Sequence, residues 1–139
     1  VITNQKYEIK DREMKNFVKD QSKKLRINEP RIYAINKSKP IAFSFRSHKS
    51  AIFLSIGLTE ILNKKELQAV ILHELAHIKE KSSALKLSNT IMRVFSPFSR
   101  LAGFHDTGKE EHKADKLVMK EQKTDSYLRS AKAKIKEFK

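Results

Sequence analysis

The sequence predicts an α+β domain, mainly helical, with a small three-stranded sheet packed against a central helix. Three observations carry that expectation. Apolar residues recur at helical spacing near residues 14–25, 67–78 and 127–138. Short β-rich runs bounded by turn residues fill the interval between the first two of these stretches. No apolar run approaches the ~20 residues of a membrane-spanning helix, and 139 residues suffice for one domain with a real core.

In chain order, residues up to about Ile27 read as a helix, with Met14, Phe17, Val18, Gln21 and Leu25 on one stripe and Lys10, Lys15, Lys19 and Lys23 elsewhere. Asn28-Glu29-Pro30 breaks that pattern, and Arg31–Ile35 is a β-type run ended by Asn36 to Pro40. Ile41–Phe45 and Ala51–Ile56 are two further strands, joined by a polar link that suits a hairpin. Gly57 permits a sharp exit, Thr59 to Leu62 form a helical turn, and Asn63 with Glu66 three residues on is a capping-box start. The helix it opens carries Leu67, Val70, Ile71, Leu75 and Ile78 on one face and runs to about Ser82. Leu87, Ile91, Val94, Phe95 and Phe98 then form an apolar stripe opposite Lys86, Arg93 and Arg100, and Pro97 ends or kinks it. That segment fits either a headgroup layer or a lid over the domain's own core. A loop over residues 101–108 leads to a helix from Lys109, and after Thr124-Asp125 a last Lys-rich helix carries Tyr127, Leu128, Ala131, Ile135 and Phe138.

Composition narrows the function. Without cysteine there is no disulfide framework and no thiolate for a metal, so any metal must use His, Asp or Glu. A net charge of +14 attracts polyanions. The lysines are spread along the chain with no zinc-finger spacing or aromatic RNA-binding motif, so nucleic acid is not the expected partner. An anionic membrane surface is.

The central helix contains His73-Glu74-Leu75-Ala76-His77. Residues four apart share a helix face, so His73 and His77 can offer two imidazole nitrogens to one tetrahedral cation. Glu74, beside the first ligand, stands where it can take a proton from a metal-bound water. The pattern implies a zinc hydrolase; the competing reading is a pair of core histidines at helical spacing. A catalytic site needs a third protein ligand. Glu80 lies too far along the same helix, about 10 Å from His73, and the Gly and His that extend the motif in metzincins are absent. Glu110, Glu111 and His112 open the later helix. Glu111 and Asp115 share a face there, so that one could bind zinc and the other accept an imidazole N–H, while His112 is a competing ligand.

The ordered set Lys39-Pro-Ile-Ala-Phe-Ser44, Ile52 to Leu58, Glu66 to Ile78 and Glu111-His-Lys-Ala-Asp115 resembles the gluzincin membrane metallopeptidases, a group that includes HtpX-type heat-shock proteases, CAAX prenyl endopeptidases and BlaR/MecR-type sensor proteases. The resemblance covers roughly residues 30 to 120 and implies a zincin-like fold. It implies one Zn2+ held by His73, His77 and Glu111, with Glu74 as general base and Asp115 supporting a ligand imidazole. The implied activity is zinc-dependent endopeptidase action on a protein or peptide that can add to the sheet as an edge strand. His105, His112 and Arg100 are the candidates for steadying the oxyanion. Relatives of this kind span membranes and this chain carries no such helix. It therefore reads as a single catalytic domain from a larger, membrane-anchored chain, placed at the cytoplasmic face of a membrane, or as a soluble cytoplasmic relative. The functional alternative is a non-catalytic or sensor-type domain with a structural metal.

Overall fold

The computed structural model describes residues 6–45, 49–80 and 108–138. Two segments called from sequence, the basic amphipathic stretch from Lys86 to Arg100 and the loop with His105, lie outside the described residues. The rest folds as an α+β domain: β1 (Lys6–Glu8), α1 (Arg12–Leu25), β2 (Arg31–Ile35), β3 (Ala42–Phe45), β4 (Ala51–Ser55), α2 (Ile56–Ile61), α3 (Lys64–Lys79), α4 (Gly108–Gln122) and α5 (Ser126–Glu137).

The sheet has four strands, one more than expected, in the order β1-β2-β4-β3. β3 and β4 form the expected antiparallel hairpin, β2 and β4 run parallel, and β1 pairs antiparallel with β2. β1 is the extra strand. Its three residues, Lys6-Tyr7-Glu8, carry no readable alternation, and their extended form comes from pairing with Tyr33 to Ile35.

Alternation along the other strands sorts the two faces. Ile32, Ala42, Ile52 and Leu54 are buried against the helices and join Val18, Leu58, Val70, Ile71, Leu75 and Ile78 in the main core. The opposite face carries Tyr33, Phe53 and Phe43 in register across three strands, stacked at 5.3 and 4.7 Å between ring centroids, with Phe45 edge-on. β3 closes the described sheet on the side away from β1, and α3 packs against it.

Two small devices seat α3. Ser55, fully buried, accepts hydrogen bonds from the backbone N–H of both Ile41 and Leu58 at 2.8 and 3.1 Å, tying the start of β3 to the first turn of α2. Gly57 is required by close approach rather than by a turn. Its N–H donates to the Lys37 carbonyl, and a Cβ there would stand 1.8 Å from the Ser38 carbonyl oxygen. The helical turn begins at Ile56, earlier than the expected Thr59.

The capping box is present: the Asn63 side chain accepts from the Glu66 N–H, and the Glu66 carboxylate accepts from the Asn63 N–H, each at 2.9 Å. α3 is buried on more than the one face its apolar spacing implied. Every residue from Ala69 to Ala76 is buried, because the sheet and α1 cover one side while Val118 of α4 and Leu128 of α5 cover the other. The helix also stops at Lys79 rather than near Ser82, with Glu80 already extended.

Candidate metal centre

Burial places His73 and Glu74 inside the domain, 4% and 0% exposed, with the His73 ring against Glu111 and Asp115 of α4. The Nε2 atoms of His73 and His77 approach to 3.0 Å, as one turn of helix brings them. α4 runs antiparallel to α3: Glu111 at its start meets the histidines, and Gln122 at its end donates to the Lys65 carbonyl at 2.9 Å. Glu111, Ala114, Asp115, Val118 and Gln122 thus form one helical stripe along α3.

The Glu111 carboxylate straddles the two rings, one oxygen 2.9 Å from His73 Nε2 and the other 2.9 Å from His77 Nε2. One donor atom from each of His73, His77 and Glu111 lies within 4.8 Å of the others. On the far side of the His73 ring, Asp115 Oδ1 stands 3.0 Å from Nδ1. The other Asp115 oxygen meets Lys132 Nζ of α5 at 2.5 Å.

Burial alone would push the His73 imidazole toward neutrality. Its contacts with Asp115 and Glu111, aided by the charge of Glu74, outweigh that and raise its pKa to about 10. Burial likewise works to raise the carboxyl pKa of Glu111, yet the contacts with His73 and His77 hold it far below the usual range. Asp115 is held low against its burial by His73 and Lys132. The carboxylates therefore stay ionised with the protonated His73 imidazole as their counter-charge.

The residues fit a resident metal ion by a further observation. Both oxygens of the buried Glu74 carboxylate have no hydrogen-bond partner among the described residues. A charged carboxylate sealed in that way costs several kcal/mol, so the chain's own packing does not complete this corner of the site. Among the described residues, His73, His77 and Glu111 form the one group of three that could hold a metal.

Of the three neighbours opening the later helix, the Glu111 side chain converges on the histidines and His112 is exposed. The side chain of Glu110 lies outside the described residues, as do His105 and Arg100. Lys132 went unnoticed in the sequence because α5 is lysine-rich throughout, and nothing local separates the lysine that reaches Asp115 from its neighbours.

Nearly all of this architecture falls inside one family match. The model of peptidase family M48 covers residues 8–134. The chain belongs to that family. Relatives include proteins named protease HtpX homolog from Thermodesulfovibrio yellowstonii, 33% identical over 65% of this chain and 33% of the relative, and from Methylibium petroleiphilum, 29% identical over 63% and 32%. A third, from Burkholderia thailandensis, is 28% identical over 69% and 34%. The chain thus spans about a third of the length of the curated relatives it matches. No described helix is long and apolar enough to cross a membrane.

Proposed function

We propose that this M48 chain is the catalytic domain of a zinc-dependent endopeptidase, with His73, His77 and Glu111 holding the metal and Glu74 as general base. One observation carries the reading: the Nε2 atoms of His73 and His77 lie 3.0 Å apart, each 2.9 Å from one of the two Glu111 oxygens, beside a buried carboxylate that has no partner among the described residues. Ligands about 2.0–2.1 Å from a tetrahedral zinc stand ~3.3 Å from one another, so small adjustments of these side chains accommodate the ion. Zinc held there would supply Lewis acidity to a water molecule and to the scissile carbonyl.

The chain's own groups would do the rest. Glu74, adjacent in sequence to a ligand and not one of the converging donors, would accept the attacking water's proton and return it to the leaving amine. Asp115, whose Oδ1 stands 3.0 Å from His73 Nδ1, would accept the Nδ1–H and hold that ring in the tautomer whose Nε2 is free to bind. A protein or peptide substrate would add alongside β3, the sheet edge against which α3 packs.

An anionic membrane surface is proposed as a second partner. The net charge of +14 and the aromatic outer face of Tyr33, Phe43, Phe45 and Phe53 support it. A structural metal in a sensor-type domain is the weaker reading, because such sites close with four protein ligands and three residues converge here among those described.

The test is zinc content together with hydrolysis of an unstructured protein such as casein. Wild type should carry one zinc and cleave. Glu74→Gln should keep the zinc and lose turnover by roughly 10²–10⁴-fold. Loss of the metal in that variant would put Glu74 among the ligands and undo the assignment.

A further inference from the structure

We infer that Lys132 is a positioning residue for the metal site, acting through Asp115 on the His73 imidazole. The inference rests on the proposed role of His73 as a ligand. α5 docks through Leu128 and Ala131, both buried, and through the partly buried Ile135. At 100° per residue, Ser130 and Lys134 flank that stripe on one side and Lys132 on the other. The two sides engage different targets. Ser130 and Lys134 bind the Glu66 carboxylate at the start of α3, Lys134 at 2.7 Å, whereas Lys132 reaches Asp115 on α4.

Asp115 is a third exposed at its side chain, and Lys132 half exposed. An isolated pair of that exposure contributes little to stability. The difference lies in what the other Asp115 oxygen holds, an imidazole only 5% exposed. With the His73 Nδ1 at one oxygen and the Lys132 ammonium at the other, the carboxylate has one orientation that meets both. Without Lys132 it can turn toward solvent and leave His73 Nδ1 with a poorer acceptor. Ligand orientation and basicity are what such outer contacts control.

Zinc dissociation constants, measured by chelator competition on the 139-residue chain, test this in wild type, Lys132→Met, Lys132→Arg, Asp115→Ala and the Asp115→Ala/Lys132→Met double variant. Asp115→Ala should weaken zinc by ~10–100-fold, and Lys132→Met, one contact further out and more solvated, by about three- to tenfold. Lys132→Arg should recover most of that loss, because the cation is restored. The decisive readout is coupling: once Asp115 is gone, removing Lys132 should change the constant by less than about twofold. Lys134→Met serves as the control on the same helix; it should lower Tm and leave zinc affinity alone. Equal loss on removing Lys132 with and without Asp115, no recovery by arginine, or a Lys132→Met constant within about twofold of wild type would overturn the inference. A wild-type chain that binds no zinc would instead overturn the metal reading on which it rests.

Discussion

Helix α3 carries two buried glutamates two turns apart, about 12 Å along its axis, and they are treated in opposite ways. Glu66, 1% exposed, accepts from the Asn63 N–H, the Ser130 hydroxyl and the Lys134 ammonium. Glu74, 0% exposed, has both oxygens without a partner among the described residues. Burial costs a carboxylate several kcal/mol unless hydrogen bonds and counter-charge return it. At Glu66 the fold returns that cost locally, and the residue is an anchor for α5. At Glu74 no described residue returns it, and a buried carboxylate without such a partner beside two converging imidazoles is consistent with the proposed role as general base. One helix thus carries a carboxylate that holds the structure and one that the proposed function assigns to the reaction.

Several changes would break or sharpen that contrast. The largest effect is expected on the working side: Glu111→Ala removes a donor from the site and should cost more than the ~100-fold in zinc affinity that losing an outer contact costs, while the exposed His112→Ala should leave stoichiometry and affinity unchanged. Chelator competition on both variants decides it, and the opposite pattern would transfer the third-ligand role to His112.

Next comes the anchor. Glu66→Gln keeps the shape but removes the charge that meets Lys134, and should destabilise the metal-loaded chain by about 2 kcal/mol; the value for breaking a buried pair is reduced here because Lys134 is 42% exposed. The effect has a definite pH sign. Burial works to raise the Glu66 pKa, but Lys134, Ser130 and the Asn63 N–H outweigh it and leave it below the ordinary 4.5. A carboxyl depressed in the folded state contributes stability above its unfolded pKa and loses it as pH falls through its folded pKa. Denaturant titrations should therefore show wild type and Glu66→Gln separated by a constant gap near neutrality and converging only below pH 4.5. A gap that widens in acid would contradict the anchoring role.

The smallest effect should fall on stability at Glu74. Glu74→Gln relieves an unpaired buried charge, so metal-free protein should be unchanged or up to ~1 kcal/mol more stable, even as turnover disappears. A loss comparable to that at Glu66 would mean that Glu74 has a structural partner after all.

The two glutamates also differ in how they could be read from sequence. Asn63 and Glu66 lie three apart ahead of an apolar run, a local signature that specifies a helix start by itself, and the box formed as read. His73, Glu74 and His77 were equally legible because one helical turn fixes their relation. Glu111 and Asp115 could be paired with each other by their spacing, whereas their approach to His73 depends on how α4 packs along α3. The contacts of α5 were not legible. Ser130, Lys132 and Lys134 reach Glu66 and Asp115 across more than fifteen residues of chain, and in a lysine-rich helix no local feature marks them. β1 escaped for the same reason, since three residues, two of them charged, become a strand only when β2 is there to pair with. The apolar face read on α3 packs in the main core, and its second buried side went unread although apolar residues at 69–72 and 75–76 surround the helix, a sign of enclosure from both sides.

The central claim is that His73, His77 and Glu111 hold a metal while Glu74 stands beside it without binding. A crystal structure of zinc-loaded protein, with anomalous differences collected at the zinc edge, tests this directly. The expected result is one peak about 2.0–2.2 Å from Nε2 of His73, Nε2 of His77 and a Glu111 oxygen, with the fourth position open to solvent and Glu74 outside bonding distance. A peak ligated by Glu74 or His112, or one located away from these two helices, would contradict it.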